Sequence, residues 1–169
     1  MVKSWPSKYC LKANDLAIQV LGGSGYIREY PVEQYYRDNR LNPIHEGTEA
    51  IHGLDVLGRK VAMKGGAGLK LFNEAVKASL GEAEYLPAVT EFTQPMLRAL
   101  DTLNDVTETL LETLSSEPDR TLANATVYLD LFGRVLASWI WLKQAVVAAG
   151  ALENDGLSAA DLNFYRGKL

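Results

Sequence analysis

The sequence has 169 residues, of which 47% are hydrophobic, so we expect a globular chain with a core, as one domain or two small ones. Its 17 basic residues against 21 acidic ones give a net charge of -4, which argues against a nucleic-acid partner. It has a lone cysteine, no apolar leader and no window of roughly 18 to 20 uninterrupted apolar residues, which leads us to expect a cytoplasmic chain without a membrane span.

The first predicted helix covers residues 7–21, where apolar side chains recur at spacings of three and four. Gly22 and Gly23 then favour its end. The expected buried face consists of Cys10, Ala13, Ala17, Val20 and Leu21. Cys10 is expected to pack there as a small hydrophobe, since no neighbouring base marks it as a nucleophile.

Two further helices and a linker follow. Pro31 suits the first turn of a helix that reaches about residue 41, because its missing N–H would be unpaired there in any case. Thr48 can cap a third helix over residues 49–63. Three glycines within residues 64–68 cost too much backbone entropy to extend that helix, so we predict a linker there.

The remainder of the chain predicts an antiparallel helical bundle, and the fold class is all-α. Its helices are expected at residues 69–80, 84–114, 119–150 and from about 158. One face of the second of these carries Leu103, Val106, Leu110 and Leu114, opposite the acidic row Asp101, Asp105, Glu108 and Glu112. The predicted domains are residues 1–63, the linker at 64–68, and an accessory bundle at 69–169.

Glu46 is the strongest candidate for chemistry, because it lies in a short turn between two predicted helices. A carboxylate works as a base near neutral pH when apolar surroundings desolvate it. Gly47 would let the backbone approach a ligand closely, and the N–H groups at the start of the following helix face an electron-rich oxygen. On these grounds alone, a surface charge favoured by the helix dipole is the better explanation of Glu46.

Four separated pieces of sequence point to a family. They are Gln19-Val20-Leu21-Gly22-Gly23-x-Gly25-Tyr26, Glu29-Tyr30-Pro31-Val32-Glu33, Tyr36-Arg37-Asp38 and Ile44-His45-Glu46-Gly47-Thr48. In this order and spacing they resemble the C-terminal helical domain of acyl-CoA dehydrogenases, over roughly residues 5–62. The residues beyond 64 resemble the larger branch that includes 3-methylmercaptopropionyl-CoA dehydrogenases and long-chain-type bacterial enzymes.

The resemblance implies a reaction for Glu46. In the family, this glutamate removes the α-proton of an acyl-CoA thioester while the β-carbon passes a hydride to FAD, and the N–H of the same residue donates to the thioester carbonyl. The substrate-binding residues carried over are Glu46 and Gly47. The cofactor-binding residues carried over are Gln19, Gly22, Gly23 and Thr48, the first three acting across a subunit interface.

The resemblance also implies an electron-transfer acceptor protein and a homo-oligomer. The last residues stop within a helical pattern, so we expect a fragment of a longer enzyme, inactive alone. The alternative is a non-catalytic helical module for oligomerisation or interaction. His45 stands where many family members have tyrosine, and could tune the base.

Other motifs have simpler explanations. Glu49-x-x-His52 has the spacing of a di-iron ligand pair, but such a site needs a second pair, so we expect no metal and a polar helix surface. Trp139 and Trp141 cannot both face inward from one helix. Trp139 is therefore expected in the core, and Trp141 at a contact with another domain or subunit.

Overall fold

The chain folds into eight α-helices with no strand over residues 3–169, the part that this computed structural model describes. The first two residues of the predicted 1–63 unit lie outside that range. The helices are α1 (Ser4–Leu21), α2 (Val32–Asn39), α3 (Glu49–Asp55), α4 (Met63–Glu84), α5 (Thr93–Leu114), α6 (Pro118–Leu122), α7 (Ala125–Leu152) and α8 (Ala159–Arg166). Short 3₁₀ turns cover Gly22–Gly25 and Thr90–Phe92, and a π-helical turn covers Val56–Lys60. The all-α prediction is confirmed.

Helix α1 buries a different face from the predicted one. Ser4 and Ser7 are buried, and the next residues on that side, Leu11, Asn14 and Ile18, are half-buried. Cys10 and Ala13 are exposed, and Val20 is 86% exposed, so the predicted apolar face and the burial of Cys10 were wrong. The reason is that α1 packs on α2 through its more polar side, where Asn39 Nδ2 donates to Asn14 Oδ1 at 2.8 Å, and no element within residues 3–169 covers the apolar side.

Two predicted long helices are interrupted. The helix expected over residues 84–114 begins only at Thr93, because the chain turns after Glu84 around Pro87. Proline disfavours helical backbone in the residue before it, and Thr90 Oγ1 donates to the carbonyl of Leu86 at 2.9 Å within the turn. The helix expected over residues 119–150 divides into α6 and α7.

The amphipathic pattern of α5 is confirmed. Leu103 is buried and Val106, Leu110 and Leu114 are half-buried, whereas all four residues of the acidic row are exposed. Trp139 packs on the core as predicted, with its ring edge-on to Phe72 and its Nε1 donating to Ser79 Oγ at 3.0 Å. Trp141 is 73% exposed.

The predicted linker contains a sharp backbone break. Lys64, Gly65 and Gly66 have φ of 53°, 65° and 76° and interrupt the first turn of α4. The core nevertheless continues across this break, because Leu57 and Val61 belong to the same buried cluster as Val76, Leu80 and Leu100. The division into units at 1–63 and 69–169 stays a prediction.

Helix α7 joins the first helices to the bundle. Gly53 of α3 lies so close to it that an added Cβ would be 2.6 Å from the carbonyl oxygen of Ala125. The indole of Trp5 in α1 packs directly on Gly133. By length and composition α7 is also long and apolar enough to span a membrane, and 28% of its most apolar window is buried. It contacts α1, α3, α4, α5 and α8.

An ion network reinforces this junction. Lys8 Nζ on α1 lies 3.2 Å from Glu49 Oε1 on α3 and 3.5 Å from Asp130 Oδ1 on α7. Burial raises the pKa of Asp130, but the hydrogen bond from Arg134 and the charge of Lys8 outweigh it, so this pKa lies below its ordinary value. Asp130 is therefore charged at neutral pH and holds Lys8 between two helices.

Candidate active site

The turn between α2 and α3 presents Glu46 from an unusual backbone conformation. Glu46 has φ of 52° and Gly47 has φ of 90°, so two consecutive residues are left-handed. This region disfavours side chains with a Cβ and is rare for glutamate. An added Cβ on Gly47 would also lie 2.9 Å from His52 Nε2, so glycine is needed there for space as well as for conformation.

Three consecutive main-chain carbonyls of this turn accept hydrogen bonds from side chains. Lys3 Nζ donates to the carbonyl of His45 and, at 2.7 Å, to the carbonyl of Gly47. His52 Nε2 lies 3.0 Å from the carbonyl oxygen of Glu46 between them. The turn is therefore tied to the start of α1 by Lys3 and to α3 by His52.

The contacts of His52 define its tautomer. A carbonyl only accepts, so Nε2 must carry the proton that is donated to Glu46. Nδ1 of the neutral ring then accepts from the hydroxyl of Ser4, which lies within hydrogen-bond distance. Ser4 thus orients the ring, and its burial in α1 makes the arrangement specific to the packing of α1 on α3.

The functional groups of Glu46 itself remain accessible. Its side chain is 82% exposed, and the titratable group beside its carboxylate is His45, with Nε2 at 3.9 Å from Oε2. Within residues 3–169, the main-chain N–H of Glu46 donates to no protein acceptor. A carboxylate base and a hydrogen-bond donor of the same residue are thus both free for a ligand.

Thr48 starts α3 with extended backbone, as expected of an N-cap residue. Its hydroxyl, however, makes no capping hydrogen bond, so the predicted capping role of that side chain was wrong. The helix begins instead directly after a turn fixed by Lys3 and His52. The hydroxyl of Thr48 is exposed on the same turn as Glu46.

The other predicted cofactor residues lie at the far end of α1. Gln19 is exposed in its last turn, and Gly22, with φ of 58°, donates its N–H to the Gln19 carbonyl. Nothing lies within 4 Å of a Cβ added at Gly22 or Gly23, so both glycines border open space. The 18 residues of α1 separate them from Lys3 by about 27 Å. One copy of the chain therefore does not bring these residues to Glu46.

The sequence reasoning missed Lys3 and Ser4, and assigned His52 only to a helix surface. Lys3 lies more than 40 residues before its carbonyl partners, a separation that no local pattern detects. Glu49 and His52 have other partners, Lys8 and Ser4, and no group of three potential metal-ligating side chains occurs among the described residues.

A separate cavity does not compete with this site. It measures about 510 Å³ and lies between α5, α7 and the C-terminal residues, away from Glu46. Its lining is mostly apolar and includes Met96, Trp141 and Leu142, with no carboxylate or imidazole side chain. It therefore offers no carboxylate or imidazole base.

Comparison with known families covers almost the whole chain. Residues 1–61 match the family described as acyl-CoA dehydrogenase, C-terminal domain. Residues 70–169 match the family described as acetyl-CoA dehydrogenase C-terminal like. The chain belongs to the acyl-CoA dehydrogenases. The resemblance carried by the four sequence pieces is thereby confirmed, and the two matched segments flank the break at Lys64, Gly65 and Gly66.

Individual acyl-CoA dehydrogenases are similar either to most of the chain or to a shorter part of it. The chain is 32% identical over its full length to 3-methylmercaptopropionyl-CoA dehydrogenase of Ruegeria pomeroyi, and covers 28% of that protein. It is 31% identical over 90% of its length to a butyryl-CoA dehydrogenase of Syntrophomonas wolfei, of which it covers 25%. The rat mitochondrial short-chain specific acyl-CoA dehydrogenase is 45% identical over 58 residues, which are 34% of this chain and 14% of that enzyme. The chain thus spans about a quarter of the length of the longer-matching relatives.

Proposed function

We propose that this chain is the C-terminal part of an FAD-dependent acyl-CoA dehydrogenase that introduces a double bond between the α- and β-carbons of an acyl-CoA thioester. The observation that carries the proposal is the Glu46 turn. Its three carbonyls are all occupied by side chains of the protein, whereas the carboxylate and N–H of Glu46 are left for a substrate. The family membership supplies the reaction class.

Glu46 performs two tasks in this reaction. Its carboxylate takes the α-proton, and its N–H donates to the thioester oxygen, where negative charge develops as the proton leaves. FAD, when bound, accepts the hydride from the β-carbon. One proton and one hydride leave the substrate, so the products balance as an enoyl thioester and a reduced flavin.

The residues that the family resemblance assigns to FAD binding fit this cofactor. Gly22 and Gly23 border open space that a side chain would otherwise fill, and Gln19 and Thr48 present unused polar side chains to solvent. Because the first three lie about 27 Å along α1 from the Glu46 end, we assign them to the flavin of a second subunit in a homo-oligomer. We assign Thr48 to the flavin that lies next to Glu46.

The rest of the full-length enzyme must complete the pocket around Glu46. Large apolar side chains are exposed at many positions in the first third of the chain, including Leu16, Val20, Tyr26, Tyr35, Leu41 and Ile44. We assign them to a contact with another domain or subunit. Such a cover, with the bound thioester, supplies the desolvation that a carboxylate base needs. The reoxidising electron-transfer protein and the cytoplasmic location belong to the same proposal.

Substitution of Glu46 tests the function. In the full-length enzyme, Glu46→Gln removes the base and keeps the shape, so FAD reduction by acyl-CoA is expected to fall by about 10²-fold or more while FAD stays bound. Anaerobic stopped-flow absorbance measures the rate of flavin bleaching, with FAD content as control. Bleaching at the wild-type rate would remove Glu46 from the mechanism.

The non-catalytic interaction module is the alternative, and the exposure of these apolar side chains in the first third is the observation that favours it. The same experiment separates the two. A full-length protein with Glu46 intact that contains no flavin and reduces none with any acyl-CoA would establish the interaction role.

A further inference from the structure

We propose that Lys3 and His52 are positioning residues for the dehydrogenation, holding the peptide planes on both sides of Glu46 so that its N–H and carboxylate meet the thioester together. This proposal rests on the function proposed above. Neither side chain would touch substrate or flavin in this role. Each acts on the main chain of the turn.

The geometry of the peptide bond determines where the Glu46 N–H points. In a trans peptide the carbonyl of one residue and the N–H of the next point in opposite directions within one plane. Lys3 holds the carbonyl of His45, and this fixes the direction of the Glu46 N–H, which points away from the ammonium group. The donor that would meet the thioester oxygen is therefore aimed by a lysine of α1.

The second peptide plane fixes the side chain. His52 holds the carbonyl of Glu46, so the planes before and after the Glu46 Cα are both anchored. With both planes fixed, φ and ψ of Glu46 are determined, and with them the direction of its Cα–Cβ bond. A glutamate released from these anchors would leave the left-handed region and swing its carboxylate away.

The two anchors also support each other. Ser4, next to Lys3, donates to Nδ1 of His52 and so keeps Nε2 directed at the Glu46 carbonyl. Lys3 also holds the carbonyl of Gly47 at 2.7 Å, which fixes the third plane and the entry into α3. The start of α1 and the first turn of α3 thus act on one turn from two sides.

Lys8 provides the matched control. It lies on α1, five residues after Lys3, and it also bridges to α3, but its partners are the carboxylates of Glu49 and of Asp130 on α7 rather than carbonyls of the turn. Lys8→Met removes an ion pair between the same two helices and leaves the anchors of Glu46 intact. A general weakening of the α1–α3 contact would affect both lysine variants alike.

The test uses the full-length enzyme with FAD bound and follows single-turnover flavin reduction by acyl-CoA. Lys3→Met and His52→Leu are expected to lower the rate constant of reduction about tenfold to a hundredfold, with FAD content and amplitude close to wild type, because a misplacement of about 1 Å can cost this much. Lys8→Met is expected to stay within about twofold. His52→Gln, which keeps an N–H donor, is expected to lose less than His52→Leu.

Each contrary result overturns the proposal. A Lys3→Met variant as fast as Lys8→Met would show that the turn needs no such anchor. A loss confined to amplitude or FAD content, with the rate constant unchanged, would show a structural role only, as would equal losses in His52→Gln and His52→Leu. Failure of the proposed function is recognised separately, because Glu46→Gln would then reduce flavin normally.

Discussion

Glu46 occupies a backbone conformation that an unrestrained glutamate would leave. A left-handed residue with a Cβ costs about 1–2 kcal/mol, and here the residue after it is left-handed as well. Four hydrogen bonds from Lys3, Ser4 and His52 surround the turn and offset this cost. These contacts keep one backbone conformation of Glu46 populated, and with it one direction of the Cα–Cβ bond, before any substrate arrives.

Gly47 should be sensitive to a single added methyl group. Gly47→Ala places a Cβ at φ of 90° and 2.9 Å from His52 Nε2, so we expect a loss of about 1–3 kcal/mol in the free energy of unfolding. Urea denaturation of the chain measures it. Gly81→Ala in α4 is the control, because open space surrounds it and alanine favours a helix by about 0.5–1 kcal/mol. Equal stability of Gly47→Ala and wild type would mean that the turn does not need glycine.

Helices α3 and α7 touch at the level of the main chain. Gly53 lets the α3 backbone reach the carbonyl of Ala125, and no flexible side chain lies between them. Contacts between backbones cannot yield as side chains do, since a main-chain atom moves only with its helix and Ala125 of α7 belongs to the buried core. The position of α3, and of the turn before it, is therefore set by the first turn of α7.

Gly53→Ala tests this contact. The new Cβ would lie 2.6 Å from the Ala125 carbonyl oxygen, so overpacking is expected to lower the free energy of unfolding by about 1–3 kcal/mol. Thermal unfolding followed by far-UV circular dichroism checks the change. Gly150→Ala, in α7 and with nothing within 4 Å, should instead be neutral or stabilising by about 0.5–1 kcal/mol. Equal effects of Gly53→Ala and Gly150→Ala would mean that α3 and α7 are not in close main-chain contact.

At the scale of the whole enzyme, α1 separates two groups of candidate site residues. Its first turn adjoins the Glu46 turn, whereas Gly22 and Gly23 follow its last residue about 27 Å away. In the proposed homo-oligomer each α1 then serves two active sites, its own through Lys3 and a neighbour's through the glycines. Variants at the two ends of the helix should damage different sites.

Mixed dimers reveal this arrangement. Glu46→Gln and Gly23→Leu homodimers are each expected to be inactive, the second because leucine fills the open space beside the glycine. A heterodimer of the two has both defects in one site and an intact second site. Refolding an equal mixture should therefore restore roughly a quarter of wild-type activity. Steady-state dye reduction measures it, and no recovery would place the glycines at their own subunit's flavin.

The sequence predicted the parts of the fold that depend on local pattern. The two faces of α5 were correct because one face lies on the core and the other in water. The breaks at Pro87 and before Ala125 were missed because the apolar spacing continues through them. The buried face of α1 was predicted wrongly, since Val20 and Leu21 follow the apolar pattern but are exposed, and α1 packs through its other side.

The sequence predicted the candidate site only in part. The pattern around Glu46 matched that of a known family, and family membership is confirmed, whereas the role of Glu46 as the base stays a prediction. The anchors could not be found, because Lys3 and Ser4 reach the turn only through the packing of α1 against α3. His52 carried a spacing typical of a metal ligand, and only its contacts with Ser4 and the Glu46 carbonyl reveal another role.

Helix α7 contacts residues close to both anchors. Gly53, the neighbour of His52, rests on Ala125, and Trp5, the neighbour of Ser4, rests on Gly133 two turns further along, about 12 Å away. The region beyond residue 63 thus supports, through α7, the two helices that hold the Glu46 turn. An acyl-CoA dehydrogenase without that helix would have to steady the same turn by other means.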